Sequence, residues 1–184
     1  VDGLKIASGD LTNHDLVTCT YKLVVANKIP FAISTGAADA YEINGVSEIL
    51  DDMSVIAETY VFQCVSAYPA TPNDFNLSTF YELEKFGACD IGLSDHTPGI
   101  NQMLIGMAIG LGYTAFEKHF TLDPALDLPD KNVSLDPVAF SMYVAAIRRA
   151  EIMYGDGNKR PMESEMGERI WARRGKDGLR PATD

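Results

Sequence analysis

The sequence has 184 residues, 46% hydrophobic and 22% charged, with a formal net charge of −11. Those values suit a soluble globular domain with a buried core. The acidity excludes a nucleic-acid binder, which needs a basic surface to displace counterions, and it disfavours anionic membranes. An anionic small substrate stays open, because the field inside a pocket is local.

The dominant pattern is a short apolar run followed by an amphipathic segment, five times over, which predicts βα units on a parallel sheet. The first strand is predicted at residues 4–7. A helix follows over 14–26, with Asn13 as N-cap and Leu16, Val17, Leu23 and Val24 on its buried face. The second strand is predicted at 30–34. Its helix starts at Asp39, with Glu42 completing a capping box, and buries Ile43, Val46, Ile49 and Leu50. A third strand at 60–65 leads to a helix after Asn76 that uses Leu77, Phe80 and Leu83. A fourth, at 90–93, precedes Ile100, Met103, Leu104, Met107 and Leu111, which recur at helical spacing. The fifth strand is predicted at 114–118. Its helix opens on Asp136-Pro137, buries Phe140, Tyr143, Val144 and Ile147, and stops at Gly155.

From Asp156 onward Gly, Pro, Glu and Arg dominate, which reads as a linker over 156–184. No apolar run reaches the roughly 18 residues of a transmembrane helix, and Val1-Asp2-Gly3-Leu4-Lys5 is not a signal peptide. The chain lacks an initiator Met and enters a strand at once, so it reads as beginning within a fold. Cys19, Cys64 and Cys89 form no CxxC motif and are expected to be reduced, buried thiols of a cytoplasmic protein.

Polar residues gather where each strand ends: Ser8-Gly9-Asp10, Ser34-Thr35-Gly36, Ser66 with Tyr68, Ser94-Asp95-His96, and Glu117-Lys118-His119. In a (β/α)8 barrel the C-terminal ends of the strands build the active site. His96 and His119 end neighbouring strands and could share one divalent metal, or be two structural histidines. Ser34-Thr35-Gly36 precedes a helix, where small residues let backbone N–H groups approach an anion. Lys5 alternates with Ile6; inside a barrel it would need an anionic partner, either a ligand or a structural carboxylate. Asp127, Asp130 and Lys131 lie in the last βα loop, where a carboxylate could meet a sugar hydroxyl or could simply be solvated.

In chain order, Lys5-Ile6-Ala7-Ser8-Gly9-Asp10, Ile33-Ser34-Thr35-Gly36, Gln63-Cys64-Val65-Ser66-Ala67-Tyr68-Pro69, Gly92-Leu93-Ser94-Asp95-His96-Thr97, Glu117-Lys118-His119-Phe120-Thr121 and Ser134-Leu135-Asp136-Pro137 resemble the N-acetylneuraminate (sialic acid) synthase family. The resemblance implies an α/β fold, the last five βα units of a (β/α)8 TIM barrel over residues 1–155, leading toward an antifreeze-like domain. It implies condensation of phosphoenolpyruvate with N-acetylmannosamine or a related N-acetylated amino sugar, with release of phosphate. By the same resemblance His96 and His119 would hold a divalent metal, usually Mn²⁺. Tyr68, Asp10 and Asp130 would serve catalysis or the sugar side, and Lys5, Ser8, Ser34, Gly36, Ser66, Ser94 and Lys118 would bind substrate. The family further implies a homodimer, an acid/base glutamate on an earlier strand, and therefore a 184-residue piece that is inactive alone; the alternative is a silent fragment that binds ligand or partner chains.

Two departures bear on specificity: Lys131 stands where the family often has His, and Ser66 where some members have Asn. A competing reading, an unrelated barrel aldolase, would need a Schiff-base lysine, for which Lys118 is the late-strand candidate.

Overall fold

The computed structural model of the chain describes residues 1–51, 57–86 and 89–180. Five strands, β1 (Leu4–Ile6), β2 (Phe31–Ser34), β3 (Thr59–Cys64), β4 (Asp90–Asp95) and β5 (Ala115–Lys118), form one sheet in the order β1-β2-β3-β4-β5. All four pairings are parallel. Between them run α1 (His14–Asn27), α2 (Ala40–Asp51), the short α3 (Phe80–Leu83) and α4 (Gln102–Leu111), and after β5 comes α5 (Pro137–Tyr154).

Local chemistry fixes the helix starts. Asn13 accepts from the Leu16 N–H at 3.2 Å, and Asp39 and Glu42 exchange bonds of 2.9 and 3.0 Å as a capping box. Asp136 accepts from the Ala139 N–H at 2.8 Å, just ahead of Pro137.

The sheet is curled. Laid flat, β1 and β5 would be four strand spacings apart, about 19 Å. Extended Lys and Glu side chains together reach roughly 10 Å. Yet Lys5 Nζ on β1 lies 2.7 Å from Glu117 Oε2 on β5. The strands therefore form an arc of a (β/α)8 barrel, with Lys5 and Glu117 pointing inward. Gly92 assists the interior packing: a Cβ there would meet the Phe62 ring at 2.5 Å.

The apolar core lies on the helix side of the arc. Ile33, Val61 and Leu93 are fully buried against Val17, Val24 and Val46 of α1 and α2 and against Leu104 and Ala108 of α4. A second cluster joins Ile105 and Ile109 of α4 to Leu135, Tyr143 and Ile147.

Several expected core positions are exposed instead: Leu16, Leu23, Met103, Met107 and Val144. In α4 the reason is plain. Seven of its ten residues, MLI-MAI-L, are apolar, so spacing alone cannot pick the buried side, and the helix buries Leu104, Ile105, Ala108 and Ile109. Of the three cysteines only Cys64 is buried; Cys19 is exposed on α1. No helix among the described residues is long and apolar enough to cross a membrane.

The chain divides into a unit of Val1–Met153 and a second of Tyr154–Asp184. The second contains a short helix, α6 (Met166–Ala172), in the segment read from sequence as a linker.

Candidate active site

At the C-terminal ends of the five strands lies a cavity of about 210 Å³. Its walls include Lys5 and Ser8 from the β1 end, Ser34 from β2, Cys64, Ser66 and Tyr68 from β3, Ser94 and His96 from β4, and Glu117 and His119 from β5. The strand pleat explains the selection. Alternate residues share a face, so Ser94 and His96 look inward together, as do Glu117 and His119.

Gly36 belongs to this cluster through its backbone. Its N–H donates to Ser8 Oγ at 3.0 Å, and a Cβ would meet Ser66 Oγ at 2.3 Å and Ser8 Oγ at 2.7 Å. Only a glycine lets those two hydroxyls close over the start of α2. Ser34 Oγ is buried without a hydrogen-bond partner. A buried hydroxyl left open is costly, and a polar ligand would satisfy it.

Lys5 has a carboxylate partner. Its ammonium donates to Glu117 Oε1 at 2.9 Å, and Ser94 Oγ donates to the same oxygen at 2.7 Å. Burial pushes Glu117 up, but Lys5 and Ser94 together outweigh it and hold the carboxyl below its usual range. Lys5 keeps donor capacity for an anion, since an ammonium carries three N–H groups.

The two histidines converge. Their ring centroids are 5.1 Å apart. Two imidazoles bonded at about 2.1 Å to one ion would place their centroids roughly 4.5–5.2 Å apart. His96 Nδ1 lies 2.6 Å from the Val65 carbonyl, so that nitrogen carries the proton and Nε2 offers its lone pair. Burial lowers the His96 pKa, the Val65 bond partly offsetting it, which favours the neutral form a metal needs. Tyr68 stacks on His96 at 4.2 Å and meets His119 edge-on at 5.5 Å. Burial raises the Tyr68 pKa, with Cys64, Asp130 and Glu117 adding to it. Among the described residues no three His, Cys, Asp or Glu side chains converge on one point. Two imidazole nitrogens are what the described residues offer a divalent cation here.

Three expected site residues lie elsewhere. Asp10 is exposed at the end of a 3-10 turn, Ser8–Asp10, and does not line the cavity. Asp130 sits in the loop after β5 with a left-handed φ of 60°, its carbonyl accepting from Ser134 Oγ, and reaches Tyr68 only through its charge. Lys118 points to the helix side, where its side chain is fully buried and its ammonium lies 3.3 Å from Asp95 Oδ1. It therefore cannot touch a substrate in this cavity or form a Schiff base there. Asp127 pairs with Lys131 at 2.7 Å in the exposed loop. The residue missed from sequence is Glu117. Period-two alternation along β5 carries the signal: if His119 faces inward, so does Glu117, and Lys118 must face away.

The chain matches the NeuB family over residues 1–159. It is 36% identical to N,N'-diacetyllegionaminic acid synthase of Legionella pneumophila, over 95% of this chain and 48% of that protein. With pseudaminic acid synthase of Campylobacter jejuni it shares 34%, over 92% and 47%. The solved N-acetylneuraminic acid synthetase of Leptospira borgpetersenii superposes with a TM-score of 0.76 at 31% identity, over 91% of this chain and 56% of that one. The chain spans about half the length of the curated relatives it matches. On the match across residues 1–159, carried by a half-barrel whose strand ends gather the expected polar residues, the chain belongs to the NeuB family.

Proposed function

We propose that the protein makes a nonulosonic acid by joining phosphoenolpyruvate to an N-acetylated amino sugar with release of phosphate. The observation that carries this reading is the meeting, in one cavity, of Lys5, the open Ser34 hydroxyl and the His96–His119 pair. Relatives at 36% and 34% identity are a legionaminic and a pseudaminic acid synthase, both nonulosonic acid synthases by name.

In this reaction C3 of phosphoenolpyruvate forms a bond to the sugar aldehyde carbon, whose oxygen takes a proton. Water adds to the cationic C2 and loses a proton, and the C2–O bond to phosphate then breaks. Lys5 and Ser34 hold the anion, with the Gly36 turn shaping the wall beside it. A cavity of about 210 Å³ suits a three-carbon phosphate and leaves the sugar to the solvent side, where Tyr68 is exposed; Asp10 and Asp130 are sugar-side candidates on the family resemblance alone. Glu117, ionised and held by Lys5 and Ser94, is the carboxylate beside which the attacking water can be oriented. His96 and His119 would hold a divalent metal, which when bound would supply Lewis-acid polarisation of a carbonyl oxygen.

The cytoplasmic location and the homodimer belong to the same proposal. So does the expectation that these 184 residues bind but do not turn over unaided. The test is phosphate release from phosphoenolpyruvate with Mn²⁺ and a panel of N-acetylated and di-N-acetylated hexosamines, on the full-length natural protein and on this chain. Release that needs both metal and sugar is expected from the former. No metal-dependent release with any amino sugar would overturn the reading.

A further inference from the structure

We infer that the buried Asp95–Lys118 pair, with Thr97, positions the His96–His119 pair from behind the sheet. This rests on the reading of the two imidazoles as metal ligands. Both side chains of the pair are fully buried, on the face opposite the cavity. Asp95 and Lys118 are direct neighbours in the register of β4 and β5. Asp95 Oδ1 accepts from the Thr97 N–H at 2.8 Å and from Thr97 Oγ1 at 2.6 Å, and lies 3.3 Å from Lys118 Nζ. The Lys118 ammonium also donates to the Thr97 carbonyl. Asp95 and Thr97 are the residues on either side of His96, and Lys118 directly precedes His119. One carboxylate and one ammonium thus tie together the two residues that flank His96 and the residue that precedes His119. From α5, the Tyr143 ring closes the site, its centroid 5.9 Å from Nζ.

Stability does not explain this arrangement. Two desolvated charges recover little more than their burial costs, and apolar replacements of such pairs are often neutral or stabilising. Directional bonds do something an apolar pair cannot: they fix where the backbone turns after β4. That turn sets the direction of His96 relative to His119. Polar groups behind metal-binding histidines commonly govern affinity in this way.

The test is Mn²⁺ affinity, by calorimetry and electron paramagnetic resonance, on the protein as its host makes it. The double substitution D95L/K118M removes both charges together with the bonds to Thr97 and leaves no buried ion unpaired. It should keep its thermal midpoint but bind Mn²⁺ at least ten-fold more weakly, with a changed resonance line shape. Thr97→Val keeps the backbone bonds and loses one donor; it should weaken binding several-fold, whereas Thr97→Ser should not. Thr97→Val and Thr97→Ser decide the matter if the double variant does not fold. Wild-type Mn²⁺ affinity in the double variant, or in Thr97→Val, would overturn the inference while leaving the metal reading intact. His96→Ala serves as the control: unchanged affinity there would overturn the metal reading, and this inference with it.

Discussion

The two faces of the β4–β5 pair use charge in opposite ways. Facing the cavity, Lys5 and Glu117 form an ion pair that is about a third exposed and open to competition from a ligand. Facing the helices, Asp95 and Lys118 form one that is sealed. A partly exposed pair contributes little to stability and can exchange partners, which suits binding. The sealed pair cannot exchange; it can only hold geometry. A partly exposed pair and a sealed one are thus separated by a single pleat, between residues adjacent in sequence.

Substitutions can break this division. The largest effect should come from His119→Ala, which removes one of two imidazoles: Mn²⁺ affinity should fall by at least about 100-fold in calorimetry, with the thermal midpoint nearly unchanged. On the opposite side, Leu104→Ala opens a cavity in the helix layer and should cost about 2–5 kcal/mol in denaturant unfolding, with phosphoenolpyruvate affinity preserved in the folded fraction. A smaller effect is expected for Lys5→Ala. Loss of one charge-assisted contact should weaken phosphoenolpyruvate roughly ten-fold or more and amino-sugar binding less, and equal losses for both would place Lys5 outside the anion site.

A further effect concerns pH. Tyr113, buried in the helix layer with its hydroxyl donating to the Leu77 carbonyl at 3.0 Å, has its pKa pushed up to about 12 by burial. A raised pKa means that the folded state favours the neutral phenol. The stability it contributes is full below the ordinary value of about 10 and is lost as pH rises toward 12, on the order of 2 kcal/mol. Urea midpoints measured between pH 9 and 11.5 should fall more steeply for the wild type than for Tyr113→Phe.

Much of this was legible in the sequence, for identifiable reasons. Helix starts could be read because Asn13, Asp39-Glu42 and Asp136-Pro137 act within one turn of chain. The gathering of Ser8, Ser34, Ser66, Ser94, His96 and His119 could be read because parallel strands bring like ends together. Two things could not. The curl that joins Lys5 to Glu117 spans 112 residues of chain and depends on the whole sheet. The buried side of α4 is hidden because nearly all of that helix is apolar. Lys118 differs from both. Its orientation follows from alternation with His119, whereas its residue type within the strand-end cluster carries no information on the side it faces.

The most direct measurement is an anomalous difference map from crystals grown with Mn²⁺ and phosphoenolpyruvate. A single strong peak is expected between His96 and His119, about 2.2 Å from one nitrogen of each, with the phosphoenolpyruvate within reach of Lys5 and Ser34. A well-ordered Mn²⁺ bound away from both histidines, or phosphoenolpyruvate bound outside this cavity, would contradict it.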